Sequence, residues 1–311
     1  MFSRNRNQHG YVLLGRGLAV SLPRDDEEVS VERPTEFFDA YLFDLDGTIF
    51  LGEELLPGAA RLVTELRRRG IPVRFLSNNA TRAPSQYADK LTRLGLPTDV
   101  ADIANTVATM TGWLLANHPG EVVFPIAEQP LVDALREAGI AISEDPGEID
   151  VVVASYDRGF DYRKLQIAFD AIWFHERAIL VATNPDRFCP FPGGRGEPDC
   201  AAIVAAIEAC TGTRCVQTVG KPDPSMVTQA LRGLDVDPTR CLMVGDRLST
   251  DIQMAVRAGM PSALTLTGDS SLDDVAAAAE ADRPTWVVQR IDHLVPAAVW
   301  AELGCCDDSS D

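Results

Sequence analysis

The stretch Asp44-Leu45-Asp46-Gly47-Thr48 follows the apolar run Ala40-Tyr41-Leu42-Phe43 and decides how the whole chain is interpreted. Side chains alternate along a strand, so Asp44 and Asp46 point the same way for as long as strand geometry continues. Two carboxylates at such a short distance repel each other, which favours a state in which one carboxyl is ionised while the other holds a proton. The pair can therefore serve as a nucleophile beside a general acid/base, or as ligands of a metal ion. The structural alternative is an ordinary Asp-Gly turn.

The composition narrows the class of protein. The chain has 311 residues, which is long enough for two domains, and 46% hydrophobic with 24% charged residues is typical of a soluble globular enzyme or binding protein. A formal net charge of −18 argues against a nucleic acid or an anionic membrane surface as partner. An anionic small substrate then needs a local positive centre, such as a metal ion or a placed lysine.

The cysteines and the apolar runs predict a cytoplasmic protein. The seven cysteines form no C-x-x-C pair and no cluster of zinc-binding spacing, which favours reduced thiols. No apolar run approaches the ~20 residues of a membrane span. Arg16 interrupts the apolar residues near the N-terminus, and no small-residue cleavage site follows, so a signal peptide is not predicted.

The order of apolar runs and helical patterns predicts an α/β fold, a doubly wound parallel sheet. Asp44, Ser77, Lys221 and Asp246 each follow a predicted strand, and ligands of such sheets bind beyond the carboxyl ends of the strands. About 140 residues separate Ser77 from Lys221, which predicts an inserted domain. The predicted division is an N-terminal extension over 1–35, a core in two parts over 36–97 and 196–300, an inserted cap over 98–195, and an acidic tail over 301–311.

Two further motifs supply candidate charges. In Gly220-Lys221-Pro222-Asp223-Pro224 the flanking residues restrain the backbone, so the ammonium group can be aimed; the alternative is a surface turn with a solvated lysine. In Gly245-Asp246-Arg247-Leu248-Ser249-Thr250-Asp251 helix capping can explain Asp251 but not Asp246, which follows a strand. An acid-rich set without a nearby histidine favours Mg²⁺ over zinc.

Together these motifs resemble the phosphatases of the haloacid dehalogenase superfamily. The matching pieces are Asp44-x-Asp46-Gly47-Thr48, Ser77 after a strand, Gly220-Lys221-Pro222, and Gly-Asp-x4-Asp at Asp246 and Asp251. Finer features are similar to the NagD-like subgroup (subfamily IIA), which includes p-nitrophenyl phosphatases and phosphoglycolate or sugar-phosphate phosphatases. They are Leu76-Ser77-Asn78-Asn79, Ala182-Thr183-Asn184-Pro185-Asp186, Gly220-Lys221-Pro222 and Gly245-Asp246-Arg247-Leu248-x-Thr250-Asp251-Ile252. The resemblance covers about residues 38–290 and implies a Rossmann-like core with an inserted α/β cap of the C2 type.

The resemblance implies a phosphatase that forms an aspartyl-phosphate. Asp44 would be the nucleophile, and Asp46 the general acid and then the general base. Ser77, with backbone N–H groups near Asn78 and Asn79, would bind the phosphoryl oxygens. Lys221 would neutralise negative charge on Asp44 and on the phosphoryl group.

The resemblance also implies how Mg²⁺ is held. Asp44, the main-chain carbonyl of Asp46, and Asp246 would be ligands, whereas Asp251 would orient a metal-bound water or Lys221. The expected substrate is a small phosphorylated metabolite of the sugar, polyol, glycolate or nucleotide phosphate class.

The inserted cap is expected to select the substrate. Asn184, Arg187, Phe188 and Cys189 lie where relatives place a substrate-contacting loop; the alternative is that Asn184-Pro185-Asp186 only turns the chain back to the core. A homodimer through the cap is implied by the resemblance alone.

Three rival interpretations remain at this stage. Cys189 and Arg195 have the C-x5-R spacing of cysteine phosphatases, but Pro190 and Pro192 lack the N–H groups that such a phosphate loop needs. A phosphotransferase or mutase would use the same Asp44 nucleophile. A non-catalytic phosphometabolite-binding protein is the least favoured, because Asp44, Asp46 and Lys221 are all present.

Overall fold

The computed structural model describes residues 11–14, 18–21, 33–191 and 195–303. Most of the predicted N-terminal extension and the part of the predicted acidic tail beyond residue 303 lie outside these ranges. The chain divides into two compact units, one formed by residues 1–73 and 236–311 and the other by residues 74–235. Within the described ranges, none of the helices combines the length and the apolar character that crossing a bilayer requires.

Strands and helices alternate along most of the described chain. The strands are β1 Tyr11–Leu14, β2 Leu18–Ser21, β3 Ala40–Asp44, β4 Phe50–Leu51, β5 Glu54–Leu55, β6 Val73–Ser77, β7 Ile103–Asn105, β8 Val123–Ile126, β9 Val151–Ala154, β10 Ile179–Ala182, β11 Phe188–Phe191, β12 Arg195–Pro198, β13 Gln217–Thr218, β14 Cys241–Gly245, β15 Ser262–Thr265 and β16 Trp286–Val288. The α-helices are α1 Ala59–Arg68, α2 Pro84–Arg93, α3 Thr106–Asn117, α4 Gln129–Glu137, α5 Tyr162–Phe169, α6 Cys200–Thr211, α7 Ser225–Ala230, α8 Gln253–Ala258, α9 Leu272–Ala277 and α10 Ala297–Glu302.

The first unit contains a parallel sheet in which β3 lies beside β14, β14 beside β15, and β15 beside β16. Leu42 of β3 is opposite Met243 of β14, and Val244 of β14 is opposite Ala263 of β15. Every residue of β3 and β14 is buried, which explains why both strands are continuous apolar runs without alternation. The order of the strands places the carboxyl ends of β3 and β14 side by side.

The second unit contains a four-stranded parallel sheet in the order β13, β10, β9, β8, and a parallel pair of β6 with β7. Alternate residues of β9 point to opposite faces of the four-stranded sheet. Val152 packs in a cluster with Ile167 of α5 and Ile203 of α6, whereas Val151 and Val153 pack with residues of α3 and α4. Helices therefore cover both faces of this sheet.

The predicted α/β class is confirmed, and the predicted strands of both sheets are present. The sequence analysis missed β7 and the short hairpins β4–β5 and β11–β12. Strand β7 pairs with β6, and β13 pairs with β10. The functional boundary of the cap stays a prediction.

Candidate active site

Three buried carboxylates meet at the edge of the first unit's sheet. Asp44, Asp246 and Asp251 each place one carboxylate oxygen within 4.8 Å of the others, and all three side chains are buried. Oxygen ligands bind Mg²⁺ at about 2.0–2.1 Å and Ca²⁺ at about 2.3–2.6 Å, so opposite ligands lie about 4–5 Å apart. Carboxylates at such short distances repel one another when ionised, and a bound cation offsets that repulsion. The donor set therefore fits a hard divalent metal ion.

Neighbouring strand ends bring these carboxylates together. Asp44 is the last residue of β3, and Asp246 directly follows β14, with which β3 pairs in parallel. Oδ2 of Asp246 accepts a hydrogen bond from the main-chain N–H of Asp269 at 2.8 Å. Oδ2 of Asp251 accepts one from the N–H of Arg247 at 3.2 Å. The orientation of Asp246 and of Asp251 is thus fixed by main-chain donors, which do not depend on side-chain torsions.

Glycines leave the space that the carboxylates occupy. Gly47 has φ +87°, and a Cβ atom there would lie 2.7 Å from Oδ2 of Asp246. A Cβ atom on Gly268 would overlap the same carboxylate, and one on Gly245 would overlap the side chain of Asp251. The sequence analysis quoted Gly245 within the Gly-Asp motif without assigning it a role, and it missed Gly268.

Asp46 differs from Asp44 in its surroundings. The strand ends at Asp44, and the chain turns so that the N–H of Gly47 donates to the carbonyl of Phe50 at 2.9 Å. The condition for a shared direction of the two side chains therefore ends before Asp46: Asp46 is exposed, whereas Asp44 is buried.

The second unit assembles the other group of predicted residues. Ser77 ends β6 and is buried, and its Oγ accepts a hydrogen bond from the N–H of Asn79 at 3.2 Å. The same Oγ lies 3.2 Å from the Oη of Tyr87, a residue that the sequence analysis missed. Oδ1 of Asn79 accepts from both the N–H and the hydroxyl of Thr81, which fixes the turn after the strand.

Lys221 is buried, only 3% exposed, in the loop that follows β13. Its main-chain N–H donates to Oδ1 of Asn78 at 2.8 Å. Asn184 is 1% exposed, and its Nδ2 donates to the main-chain carbonyl of Asn78 at 3.1 Å. The side chains of Asn78 and Asn184 therefore bind main-chain groups, and the predicted contacts of these two residues with substrate stay a prediction.

The predicted specificity residues lie in and beside a hairpin. Arg187 is exposed, Phe188 is 56% exposed, and Cys189 is half-buried in β11 opposite Glu197 of β12. Cys189 and Arg195 lie on facing antiparallel strands, an arrangement that does not fit the phosphate-binding loop of a cysteine phosphatase. Glu197 also accepts a hydrogen bond from the hydroxyl of Tyr156.

Asp199 is a buried acid beside this hairpin that the sequence analysis missed. Burial raises its pKa to about 6, against the hydrogen bond from the N–H of Cys200, and the negative charge of Asp186 adds to the rise. Its Oδ1 accepts that N–H at 2.6 Å at the start of α6. The position of Asp199 directly before the apolar helix α6 is the sequence signal that predicts a helix N-cap at this residue.

Comparisons with known proteins agree with these features. Residues 41–141 match the profile of the haloacid dehalogenase-like hydrolases, and residues 218–294 match a second HAD-hydrolase-like profile. The chain is 37% identical to chronophin of Rattus norvegicus over 245 residues, which is 76% of this chain and 79% of that protein.

Solved structures give the same relationship. The 4-nitrophenylphosphatase of Thermotoga maritima superposes with a TM-score of 0.77 at 29% identity, over 84% of this chain and 97% of that one. The glycerol phosphate phosphatase of Mycobacterium tuberculosis, in complex with calcium, gives a TM-score of 0.74 at 31% identity, over 83% of this chain and 74% of that one. This chain therefore belongs to the haloacid dehalogenase-like hydrolases, in the NagD-like and p-nitrophenyl phosphatase-like subfamily IIA.

Proposed function

We propose that this chain hydrolyses small phosphomonoesters with the help of Mg²⁺ and through an aspartyl-phosphate on Asp44. The observation that carries the proposal is the buried cluster of Asp44, Asp246 and Asp251, whose carboxylate oxygens converge within 4.8 Å. Membership of the haloacid dehalogenase-like hydrolases and the phosphatase relatives support a phosphoric monoester hydrolase. The paired acids Asp44 and Asp46 favour phosphate chemistry over dehalogenation.

The metal assignment rests on the donors. Asp44, Asp246 and the main-chain carbonyl of Asp46 would hold Mg²⁺, with Asp251 orienting the ligand set. The bound ion would supply positive charge that reduces the electrostatic repulsion between the phosphoryl group and the attacking carboxylate. The calcium in the M. tuberculosis relative belongs to that protein, and it supports a divalent ion here because calcium and magnesium share oxygen ligands.

The covalent steps follow from the two acids. A carboxylate oxygen of Asp44 attacks phosphorus, the bond from phosphorus to the ester oxygen breaks, and Asp46 gives its proton to that oxygen. Asp46 then takes a proton from a water molecule, which attacks phosphorus and breaks the bond to Asp44. Inorganic phosphate leaves, and both side chains return to their initial protonation states.

Ser77 and Lys221 are proposed to act on the same phosphoryl group. The Oγ of Ser77 accepts the N–H of Asn79, so its hydroxyl is held at the end of β6 with a fixed direction. A buried lysine ammonium counteracts the negative charge that accumulates on the transferring group. Uncatalysed hydrolysis of these esters needs accelerations of up to ~10²¹. Acid–base catalysis supplies only ~10²–10⁴, so positioning and electrostatics must supply the rest.

The substrate class is inferred from the relatives and from the hairpin. The proposed substrates are sugar, polyol, glycolate and nucleotide phosphates, which agrees with a relative named as a glycerol phosphate phosphatase. Arg187, Phe188 and Cys189 are proposed to contact the leaving group, because Arg187 directly before the hairpin and Phe188 within it are both exposed.

The test is phosphate release from a panel of phosphorylated metabolites with Mg²⁺, using wild type and Asp44→Asn. Release that disappears in Asp44→Asn, together with a phosphorylated peptide containing Asp44 in acid-quenched wild type, is the expected result. Transfer to an added alcohol or sugar without release of free phosphate would instead indicate a phosphotransferase. No release and no transfer in wild type would contradict the proposal.

Two further proposals concern the state of the protein in the cell. The described cysteines are all free thiols, which supports the proposed cytoplasmic, reducing location. A homodimer through the inserted segment is proposed from the resemblance, and the exposed Trp173 and Phe174 of that segment are suited to such a contact. Sedimentation of wild type and of Trp173→Ser would test the dimer.

A further inference from the structure

The side chain of Asn78 binds both main-chain polar groups of Lys221. Its Oδ1 accepts the N–H of Lys221 at 2.8 Å, and its Nδ2 donates to the carbonyl oxygen of Lys221 at 3.0 Å. Asn78 directly follows Ser77, the last residue of β6, which pairs with β7. Asn78 therefore lies at the end of a hydrogen-bonded strand. One carboxamide thus connects this strand end to the main chain that carries the lysine, across 143 residues of sequence.

Asn78 is itself held on several sides. Its Nδ2 also donates to Oδ2 of Asp186 at 3.0 Å, so both amide hydrogens have acceptors. Its main-chain carbonyl accepts the hydroxyl of Thr106 at 2.9 Å and Nδ2 of Asn184 at 3.1 Å. Thr106 and Asn184 are buried. With both hydrogens of its amide engaged, the side chain has none to give to a phosphoryl oxygen.

The residue before Lys221 is adapted to this contact. A Cβ atom on Gly220 would lie 2.5 Å from the carbonyl oxygen of Thr183 and 2.8 Å from Oδ1 of Asn78. Only a glycine lets the loop approach Asn78 closely enough for both hydrogen bonds. The glycine of the Gly-Lys-Pro motif therefore has a defined role in the contact with Asn78.

We propose that Asn78 is a positioning residue that fixes the main chain of Lys221, and thereby the origin of the ammonium group, without touching the phosphoryl group. The proposal rests on the proposed function, because it concerns the same lysine. A lysine side chain has four flexible carbons, so the ammonium position depends on a fixed Cα. A misplacement of about 1 Å in a catalytic group costs roughly 10²-fold in rate.

Asn78→Asp tests this role with little change of shape. The substitution keeps one oxygen for the N–H of Lys221, but it sets a second oxygen against the carbonyl of Lys221 and the carboxylate of Asp186. We expect kcat to fall about 10²-fold with a much smaller change in KM. Asn78→Asp combined with Asp186→Asn places a donor opposite the new carboxylate, and we expect this double variant to recover part of the lost kcat.

A cycle with Lys221→Ala separates positioning from direct substrate contact. If Asn78 acts only through Lys221, Asn78→Asp lowers kcat much less in the Lys221→Ala background than in wild type. Equal fold losses in both backgrounds would overturn the proposal, because they would mean that Asn78 acts independently of the lysine.

Asn105→Asp is the control for the loss of an amide donor at a position that does not contact Lys221. Asn105 is 0% exposed, its Oδ1 accepts the N–H of Ala108 at 3.1 Å, and its Nδ2 donates to the carbonyl of Arg82 at 2.8 Å. This variant removes one donated hydrogen bond from a fully buried amide, whereas Asn78→Asp removes two from a half-buried amide, and we expect it to lower thermal stability while kcat of the folded enzyme is kept. Equal kcat values for the two folded variants would overturn the proposal. Absence of phosphate release in wild type would instead contradict the proposed function itself.

Discussion

The α-carbon of Gly47 faces the carboxylate of Asp246 so closely that a Cβ atom on Gly47 would lie 2.7 Å from Oδ2 of Asp246. Gly47 also has φ +87°, in the left-handed region that favours glycine. One residue of the Asp-x-Asp-Gly-Thr motif is thus needed for the shape of the proposed metal site, although it has no side chain of its own. This relationship leads to the first prediction.

Gly47→Ala is expected to lower kcat by about 10²-fold or more, because the methyl group displaces the carboxylate of Asp246. The Mg²⁺ concentration for half-maximal activity should rise as well. Gly52→Ala is the control: Gly52 has φ +60° but nothing within 4 Å of its Cβ position. Both variants place an alanine in the left-handed backbone region, which lowers stability by about 1–2 kcal/mol. A similar loss of activity in both would therefore contradict a specific effect on Asp246.

Removal of the metal is expected to abolish activity. EDTA should stop phosphate release, and added Mg²⁺ should restore it. Asp246→Asn should raise the required Mg²⁺ concentration more than Asp251→Asn, because Asp251 is assigned an orienting role. Titration of activity with Mg²⁺ measures both, and full activity in EDTA would contradict the metal assignment.

Asp46→Asn is expected to separate the two chemical steps. With p-nitrophenyl phosphate the leaving group departs with little help from an acid, so Asp44 should still become phosphorylated. Hydrolysis of that intermediate lacks its general base and should slow by about 10²–10⁴-fold. Mass spectrometry of acid-quenched enzyme should then show accumulated phosphoenzyme in Asp46→Asn and none in Asp44→Asn. Rapid turnover of Asp46→Asn would rule out Asp46 as the base.

Asp199 is expected to make the protein less stable as the pH rises through the range from about 4 to about 6. Its pKa lies near 6 in the folded chain and at 3.8 in an unperturbed carboxyl, so the folded state binds more protons between these values. Below both values the effect is absent, and above pH 6 the destabilisation is complete, at up to about 3 kcal/mol.

Asp199→Asn keeps an acceptor for the N–H of Cys200 and removes the charge. Urea unfolding should therefore show this variant gaining stability over wild type at pH 7.5, and less or none near pH 4. Asp237→Asn is the control with the opposite sign, because hydrogen bonds from Thr239 lower the pKa of Asp237. A gain for Asp199→Asn that does not depend on pH would contradict the prediction.

Asp292 is expected to be important for the stability of the first unit. Its side chain is fully buried, and it accepts hydrogen bonds from Arg61 at 2.9 Å and from Arg290 at 3.1 Å. Gly58 directly precedes α1, and a Cβ atom on Gly58 would overlap the carboxylate of Asp292. This carboxylate therefore lies at the start of α1, where negative charge is favourable.

Asp292→Ala should lower the free energy of unfolding by about 2 kcal/mol, since it removes a fully buried carboxylate together with its hydrogen bonds from Arg61 and Arg290. Asp39→Ala, which breaks an exposed pair with Arg240, should change stability little. Thermal or urea unfolding checks both, and equal effects of the two substitutions would contradict the importance of burial.

The sequence predicted much of the fold because parallel strands buried on both faces are continuous apolar runs. Such runs identify β3 and β14 directly, and the Asp that follows each run identified two of the three clustered carboxylates. Strand β7 was missed, since Ile103-Ala104-Asn105 is too short for a pattern. The exposure of Asp46 was missed as well, because the end of a strand is not encoded by the alternation of side chains.

By itself the sequence determined which residues are available for the chemistry and in which family they occur, because strand ends and glycine turns are local properties. Only the tertiary structure decided which of them meet. Asp251 joins Asp44 through the packing of different chain segments, Asn78 binds Lys221 over a separation that no local pattern records, and burial in the fold raises the pKa of Asp199. Hydrogen bonds and desolvation depend on how close groups lie in space, and only the fold sets those distances.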